Sequence, residues 1–261
     1  MRGGPPPGRE PAFVEAASTG KAFLMSQADN PYLAANFGTA AQASVEERAS
    51  FITKTYLHLL VAIGAFVCLE AILLNMPFTP RLVELMLGGQ MSWLVVLGAF
   101  MAVSYIADRW ARSATSLGVQ YAGLALYVVA QAVIFVPLLY FASAQSSEII
   151  PAAAVTTLGL FGILTVVDFI TRKYFSFLRS ILMFGGFAAM GLIVCAILFN
   201  FALGPIFTYA MIALACGYIL YDTSNVLHHY QTSQYVAAAL GLFASVALLF
   251  WYIVQLFMSR D

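Results

Sequence analysis

Seven apolar runs, each about twenty residues long, follow one another along the chain with only short connections between them. They cover roughly residues 56–76, 88–107, 118–142, 149–171, 178–200, 205–227 and 235–257. At a rise of about 1.5 Å per residue, each run is long enough to cross the roughly 30 Å hydrocarbon core of a bilayer as a helix. Transmembrane β-strands would require alternating polar and apolar residues, and runs such as 240–252 do not alternate. The sequence therefore predicts an all-α, polytopic membrane protein, a bundle of seven transmembrane helices.

Composition agrees with a lipid environment and excludes several partners. Only 9% of the 261 residues are charged and 62% are hydrophobic, whereas soluble domains carry roughly 25% charged residues. Twelve Lys and Arg balance twelve Asp and Glu, which argues against a nucleic-acid surface. The three cysteines lack metal-binding spacing. We expect the lipid bilayer as a partner, with no nucleic acid, cofactor or metal.

The first fifty residues differ from the rest of the chain. They open with closely spaced Gly and Pro and continue through polar and Ala-rich sequence. The sequence predicts a largely disordered tail over 1–50, followed by a seven-helix transmembrane domain over 51–261. Ser44 and Glu47 have the spacing of a capping box, which indicates a helix over 44–56 that leads into the first span.

The basic residues of the short connections indicate the orientation. Most of them lie on the side of the N-terminus: Arg48, Lys54, Arg109, Arg112, Arg172, Lys173 and Arg179. The positive-inside rule then places the N-terminus in the cytoplasm and, after seven spans, the C-terminus outside.

Small residues recur along the seventh span. Ala237, Gly241 and Ser245 are four residues apart and therefore share one helix face. Small side chains let transmembrane helices approach closely. We expect the seventh helix to lie at the centre of the bundle.

Three carboxylates fall within the predicted spans, where a charge costs several kcal/mol unless it has a partner or a water-filled cavity. Asp168 precedes Arg172 by one turn, so an ion pair at the membrane interface accounts for it. Glu70 lies about six residues inside the outer end of the first span. Its side chain either reaches toward the headgroups or takes part in an ion pathway, and the sequence leaves both interpretations open.

Asp222 is the strongest functional candidate because it lies about one and a half turns inside the sixth span. Tyr218 and Asn225 share its helix face and give a polar stripe in an apolar helix, which should face the bundle interior. Burial disfavours the charged carboxylate and a nearby arginine favours it, so its protonation is suited to respond to pH. The alternative is a structural aspartate that only joins two helices by a hydrogen bond.

No enzyme of the membrane fits these residues. An intramembrane aspartyl protease needs a second aspartate in a GxGD motif, which does not follow Tyr221-Asp222. A zinc hydrolase needs convergent ligands, and His58, His228 and His229 are the only histidines. A retinal protein needs a lysine in its last span, where this chain has none. We therefore expect a protein that is not an enzyme.

Two segments carry a resemblance to a known family. The YDTS at 221–224 is similar to the YDT signature at the end of the sixth span of the Bax-inhibitor (transmembrane Bax-inhibitor-motif) family. The segment TRKYFSFLRS at 171–180 resembles the turn between that family's fourth and fifth spans. With the seven-span pattern, the resemblance covers roughly residues 50–261. The closing FMSRD and the lack of a carboxylate in span seven are most similar to the bacterial YccA-like branch, which implies a multi-pass protein of the bacterial cytoplasmic (inner) membrane.

The resemblance also implies functions and residue roles. The family's calcium-leak members pair an aspartate in span six with a second in span seven as a pH sensor, and an arginine near the end of span two latches onto the first. Asp222 matches the first aspartate, Ser245 stands at the second position, and Arg109 or Arg112 matches the latch. The implied function is a pH-responsive channel that leaks cations such as calcium. The alternative is a regulator that transports nothing and acts on a membrane-anchored ATP-dependent protease.

Overall fold

The computed structural model describes residues 39–113, 116–171 and 176–259, and the segments it describes are almost entirely helical. Eight helices occur in these residues: α1 (Val45–Leu74), α2 (Thr79–Leu87), α3 (Gln90–Ala111), α4 (Leu117–Gln145), α5 (Ile149–Thr171), α6 (Ser176–Phe199), α7 (Gly204–His228) and α8 (Tyr235–Met258). Seven of them, all except α2, are long and apolar enough to cross a membrane. The predicted all-α bundle with seven spans is confirmed. Residues 1–38 of the predicted tail, together with Arg172 and Lys173, lie outside the described residues.

Helix α1 starts where the capping box predicts. The Ser44 hydroxyl accepts a hydrogen bond from the Glu47 amide at 3.3 Å, and the Glu47 carboxylate accepts one from the Ser44 amide at 3.3 Å. This reciprocal pair satisfies two amides that the first turn leaves without helical partners. The helix then continues without a break through the first span. Residues 45–50 of the predicted tail segment therefore already belong to α1.

Helix α2 lies in a segment that the sequence predicts to be only a connection between spans. It has nine residues, too few to span the bilayer, and Pro80 stands at its start, where a missing amide costs nothing. The Thr79 hydroxyl donates a hydrogen bond to the Leu73 carbonyl near the end of α1. Val83 and Met86 are buried, so one side of α2 packs against the bundle. Because α2 is so short, a pattern of membrane-spanning apolar runs does not predict it.

Helix α8 lies at the centre of the bundle, as the sequence predicts. Of its most apolar window, 78% of the residues are buried, against 50% in α4 and 22% or less in the other five spans. It packs against α1, α3, α4, α5 and α7. The small-residue face explains this position, since Ala237 is fully buried and Ser245 nearly so.

Aromatic rings fill the middle of the bundle between α1, α4 and α8. Phe66 meets Phe135 and Phe243 edge to face, with ring centroids 5.1 and 6.0 Å apart. Phe135 stacks on Phe250 at 5.7 Å and meets Trp251 edge to face at 4.9 Å. These geometries are the favourable ones for aromatic pairs. We call these five residues the aromatic layer.

Candidate functional site

Asp222 and Ser245 join α7 to the central helix. The Ser245 hydroxyl donates to the Asp222 carboxylate over 2.5 Å, a short charge-assisted geometry. Ser245 is buried, and Gly241 lies one turn before it on the same face of α8. An added Cβ at Gly241 would stand 4.0 Å from the Asp222 carboxyl carbon, so the glycine leaves room for the carboxylate. The small-residue face of α8 therefore both packs the bundle and receives Asp222.

The end of α3 supplies a cation to the same region. The Arg112 Nε donates to both carboxylate oxygens of Asp108, one turn earlier, at 2.8 and 2.9 Å. Arg112 caps α3, where a positive charge is favoured by the helix dipole. Its guanidinium is also close enough to Asp222 to interact with that carboxylate electrostatically.

Tyr230 connects these two charged groups. The Asn225 carbonyl accepts hydrogen bonds from the amides of His229 (2.8 Å) and Tyr230 (3.1 Å), which closes the turn after α7. The turn places the Tyr230 ring against Arg112, whose guanidinium carbon lies 5.8 Å from the ring centroid. The Tyr230 hydroxyl would be 3.4 Å from a Cβ at Gly241, and burial raises the pKa of this phenol to about 12. Tyr230 is thus a neutral aromatic residue that packs between Arg112 and α8.

Together these residues form a compact polar group at the end of the bundle that carries the start of α1. We call it the Asp222 cluster, and its members are Asp108, Arg112, Asp222, Tyr230 and Ser245. Three helices and one turn contribute to it. A carboxylate in this setting can exchange partners between a neutral hydroxyl and a guanidinium.

Close packing of α3 against α4 positions the arginine. A Cβ added at Gly123 of α4 would stand 2.6 Å from both the Ala107 carbonyl oxygen and the Ala111 amide nitrogen, closer than real Cβ contacts. Only glycine permits this approach of the two backbones. The last turn of α3, which carries Asp108 and Arg112, therefore rests directly on α4.

The structure distinguishes between Arg109 and Arg112, which the resemblance left as alternatives for the arginine beside Asp222. Arg109 is exposed, and its guanidinium donates to the Tyr105 hydroxyl at 3.0 Å and lies over that ring at 5.9 Å. Arg112 belongs to the Asp222 cluster. Arg109 lies in the last turn of α3, whereas Arg112 is the residue that follows the helix, and the two side chains make different contacts.

The two other residues of the predicted stripe on α7 are engaged in other contacts. The Tyr218 hydroxyl donates to the Leu182 carbonyl on α6 at 2.9 Å and lies against Gly186, where a Cβ would be only 2.7 Å away. Tyr218 therefore joins α7 to α6. Asn225 contributes its backbone carbonyl to the turn that precedes Tyr230.

Glu70 lies far from the Asp222 cluster, near the opposite end of α1. Its side chain is 5% exposed, and neither carboxyl oxygen has a hydrogen-bond partner among the described residues. The oxygens are covered by protein, so the side chain does not reach toward the headgroups, as one of its two interpretations required. The structure thus does not bring Glu70 together with Asp222.

Asp168 is more deeply buried than its predicted interfacial ion pair requires. The residue has no exposed surface, and both carboxyl oxygens are without hydrogen-bond partners among the described residues. Arg172, the predicted partner, lies outside the described residues.

Sequence reasoning missed two members of the Asp222 cluster. Tyr230 lies in a turn outside the spans, and Asp108 forms an ordinary i,i+4 pair with Arg112. The signal for Asp108 was present, since an acid one turn before a basic helix end often pairs with it. Tyr230 had no such signal because its contacts depend on the path of the turn.

Comparisons with known proteins identify a matching family and several relatives. The family model described as "Inhibitor of apoptosis-promoting Bax1" matches residues 48–261. Bax inhibitor 1 of Schizosaccharomyces pombe is 34% identical over 121 residues, which are 42% of this chain and 42% of that protein. Protein LIFEGUARD 4 of Arabidopsis thaliana is 32% identical over 44% of this chain and 49% of its own length. The matched segments thus span less than half the length of these relatives.

Proposed function

The chain belongs to the Bax-inhibitor family, and from this premise we propose that it forms a pH-responsive leak pathway for cations such as calcium across a bacterial cytoplasmic membrane. The hydrogen bond between Asp222 and Ser245, with Arg112 beside it, is the observation that carries this proposal. It places an ionisable group of α7 against the central helix, within electrostatic reach of a guanidinium. An ionisable side chain inside a membrane protein is by default a functional candidate.

The described conformation corresponds to a closed state of such a pathway. Beyond the Asp222 cluster, the Tyr127 ring meets Phe243 edge to face at 6.0 Å, and Phe243 belongs to the aromatic layer. Rings in van der Waals contact leave no room for a hydrated ion. Conduction therefore requires α8 or a neighbouring helix to shift.

Protonation of Asp222 supplies a reason for such a shift. At neutral pH a charged carboxylate holds the Ser245 hydroxyl and attracts Arg112. Acidification neutralises the carboxylate, which removes the attraction to Arg112 and weakens the hydrogen bond with Ser245. Because Arg112 stays bound to Asp108 and Tyr230, neutral Asp222 no longer ties α3 to the α7–α8 pair. The inner end of the bundle then loosens.

Calcium flux into liposomes that contain only the purified protein tests the proposal. We expect flux that changes with external and internal pH in the wild type and that responds much less to pH in Asp222→Asn, which cannot ionise. Arg109→Gln is the matched control for Arg112→Gln: it also removes a guanidinium near the end of α3, but one outside the Asp222 cluster. Only the Arg112 variant should alter the pH response.

The other candidate is a regulator that transports nothing and acts on a membrane-anchored ATP-dependent protease. It predicts no flux from the wild-type protein at any pH and a stable complex with the protease. Absence of flux from protein that is folded and correctly inserted would refute the leak proposal. An unchanged pH response in Asp222→Asn would instead show that Asp222 only packs α7 against α8.

A further inference from the structure

The segment in front of α1 is fastened to the turn that follows α7. The Ala40 amide donates a hydrogen bond to the Tyr230 carbonyl at 2.8 Å, and Thr39 pairs with Gln231 as an antiparallel bridge. The Ala40 side chain has no exposed surface. The first residues of a domain are usually poorly ordered unless such contacts tie them down.

Hydrogen bonds within this segment make it short and compact. The Thr39 carbonyl accepts hydrogen bonds from the amides of Gln42 at 2.8 Å and Ala43 at 3.1 Å, which closes a turn. The next residue, Ser44, is the cap of α1. One folded segment therefore joins the start of α1 to the backbone of Tyr230. We call residues 39–43 the clamp.

Direct packing between the start of α1 and the turn after α7 is incomplete. Helix α1 packs mainly against α4 and α8. An open cavity of about 350 Å³ lies between its first turns and the turn, and its walls are formed by Glu46, Glu47, Ser50, Phe51, Lys54 and Thr232. The clamp therefore supplies the connection that side-chain packing leaves out here.

The residue that the clamp holds is also a member of the Asp222 cluster. The Tyr230 carbonyl accepts the hydrogen bond from Ala40, while the Tyr230 ring lies against the Arg112 guanidinium, 5.8 Å from its carbon. The turn's own bonds, from the Tyr230 amide to the Asn225 carbonyl and from the Gln234 amide to the Gln231 carbonyl, give it its shape. The clamp restricts its movement away from α1.

We propose that the clamp is an autoinhibitory contact, which holds Tyr230 against Arg112 and thereby keeps the inner end of the bundle closed. Its release frees the turn, so the Tyr230 ring can leave the guanidinium. A contact made of one hydrogen bond and one bridge can open without unfolding of the helices. The consequence for flux rests on the leak proposal, whereas the coupling between the clamp and Arg112 can be measured without flux.

Ala40→Pro breaks the clamp at one atom. It removes the amide donor, and proline is favoured at this second position of a turn, after a residue with extended backbone. Val45→Pro is the matched control. Val45 is the exposed first residue of α1, where a missing amide costs little, and the extended backbone of Ser44 accepts a proline after it.

Two measurements on the purified full-length protein need no flux. Hydrogen exchange of the turn over 229–234, followed by mass spectrometry, should be several-fold faster in Ala40→Pro and unchanged in Val45→Pro. Arg112→Gln should lower the melting temperature less in the Ala40→Pro protein than in the wild type, because there the contact with Tyr230 is already weakened. With Val45→Pro, the two effects on the melting temperature should add.

A disulfide supplies the opposite change. Residues opposite each other in an antiparallel pair have Cα atoms about 4.5–5.5 Å apart, within the range of a disulfide. Thr39→Cys with Gln231→Cys, in a chain whose three native cysteines are replaced by alanine, should therefore oxidise and lock the clamp. In liposomes at neutral pH, we expect lower calcium flux from the oxidised than from the reduced protein, and higher flux from Ala40→Pro than from the wild type. If Ala40→Pro does not fold, turn exchange and flux in the two redox forms carry the test.

Unchanged exchange of the turn in folded Ala40→Pro would overturn the proposal, because the clamp would then not hold Tyr230. Additive effects of Ala40→Pro and Arg112→Gln on the melting temperature would overturn it as well. Equal flux from the oxidised and reduced cysteine pair, in a protein that conducts, would show that the clamp does not inhibit. If the wild type conducts nothing, the leak proposal fails, and exchange and melting alone decide whether the clamp holds Tyr230 against Arg112.

Discussion

The central helix carries a serine, Ser245, and not a second acid at the position that contacts Asp222. Two carboxylates in contact share a proton, because both cannot ionise at that distance. Here a hydroxyl donates to Asp222 instead, so ionisation of Asp222 meets no like charge from α8. In the proposed pathway, the pH response would therefore depend on one acid and its guanidinium neighbour rather than on a pair of acids.

Removing the Ser245 hydroxyl tests how much it contributes to the proposed pH dependence of calcium flux. Ser245→Ala should lower the free energy of unfolding by about 1.5–3 kcal/mol, the usual contribution of a hydrogen bond to a charged group. Its effect on the pH dependence of calcium flux should be smaller than that of Asp222→Asn, because the ionisable group remains. Ser143→Ala is the matched control, since the exposed Ser143 hydroxyl bonds only to the Tyr140 carbonyl of its own helix. Disappearance of the whole pH response in Ser245→Ala would contradict this assignment.

Tyr230 should act through its ring and not through its ionisation. Its pKa of about 12, raised by burial above the value of an exposed phenol, keeps it neutral between pH 5 and 9. Since the folded-state pKa is the higher one, any stability that the neutral phenol contributes is complete below about pH 10 and is lost only as the pH rises toward 12.

The corresponding experiment compares two substitutions of Tyr230. Tyr230→Phe keeps the ring beside Arg112 and should leave the pH midpoint of flux unchanged. Tyr230→Leu removes the cation–π contact, worth about 0.5–2 kcal/mol, and should shift that midpoint. A shift of equal size in both variants would show that the hydroxyl is the part that matters.

Among the helices, the contact of α3 with α4 decides where Arg112 lies. Gly123→Ala would force a Cβ into the backbone of α3, so we expect a loss of about 1–3 kcal/mol in the free energy of unfolding, measured by denaturation in detergent. Gly118→Ala in the first turn of the same helix is the matched control. Its Cβ would meet only the Ser116 hydroxyl, at 4.0 Å, and should cost little. Equal losses would mean that helix propensity rather than the close approach determines the effect.

The sequence predicts the helices well because the bilayer imposes a strict rule on length and polarity. Each apolar run of about twenty residues had to be a helix, since the backbone has no other partners in hydrocarbon. Helix α2 was not predicted because a run of nine residues is too short to be recognised as a membrane span. The central position of α8 was predictable from Ala237, Gly241 and Ser245, whose spacing makes a close-packing face.

The Asp222 cluster was less predictable because its members come from different helices. Asp222 stood out by its depth alone. The choice of Arg112 over Arg109 depends on the rotation of α3, which Gly123 of α4 fixes, and sequence spacing does not report it.

For the molecule as a whole, the Asp222 cluster lies at the end of the bundle where α7 ends. Asp222 lies within the last two turns of α7. Successive spans alternate in direction, so the ends of α3, α5 and α7 and the starts of α1, α4 and α8 share one membrane side. That side carries Arg48, Lys54 and Arg112, and from the positive-inside rule we expect it to face the cytoplasm. The Asp222 cluster is therefore expected to sense cytoplasmic pH.

This orientation can be measured with single cysteines in intact bacterial cells. In a background where Cys68, Cys195 and Cys216 are replaced by alanine, Ser147→Cys in the turn between α4 and α5 should react with a membrane-impermeant maleimide. Ser50→Cys, an exposed serine near the start of α1, should react only after the cells are opened. Helix α1 has 30 residues and is about 45 Å long, so its first turns extend beyond roughly 30 Å of hydrocarbon and are accessible to the reagent. Labelling of Ser50→Cys in intact cells, with Ser147→Cys protected, would invert the orientation and place the Asp222 cluster toward the outside.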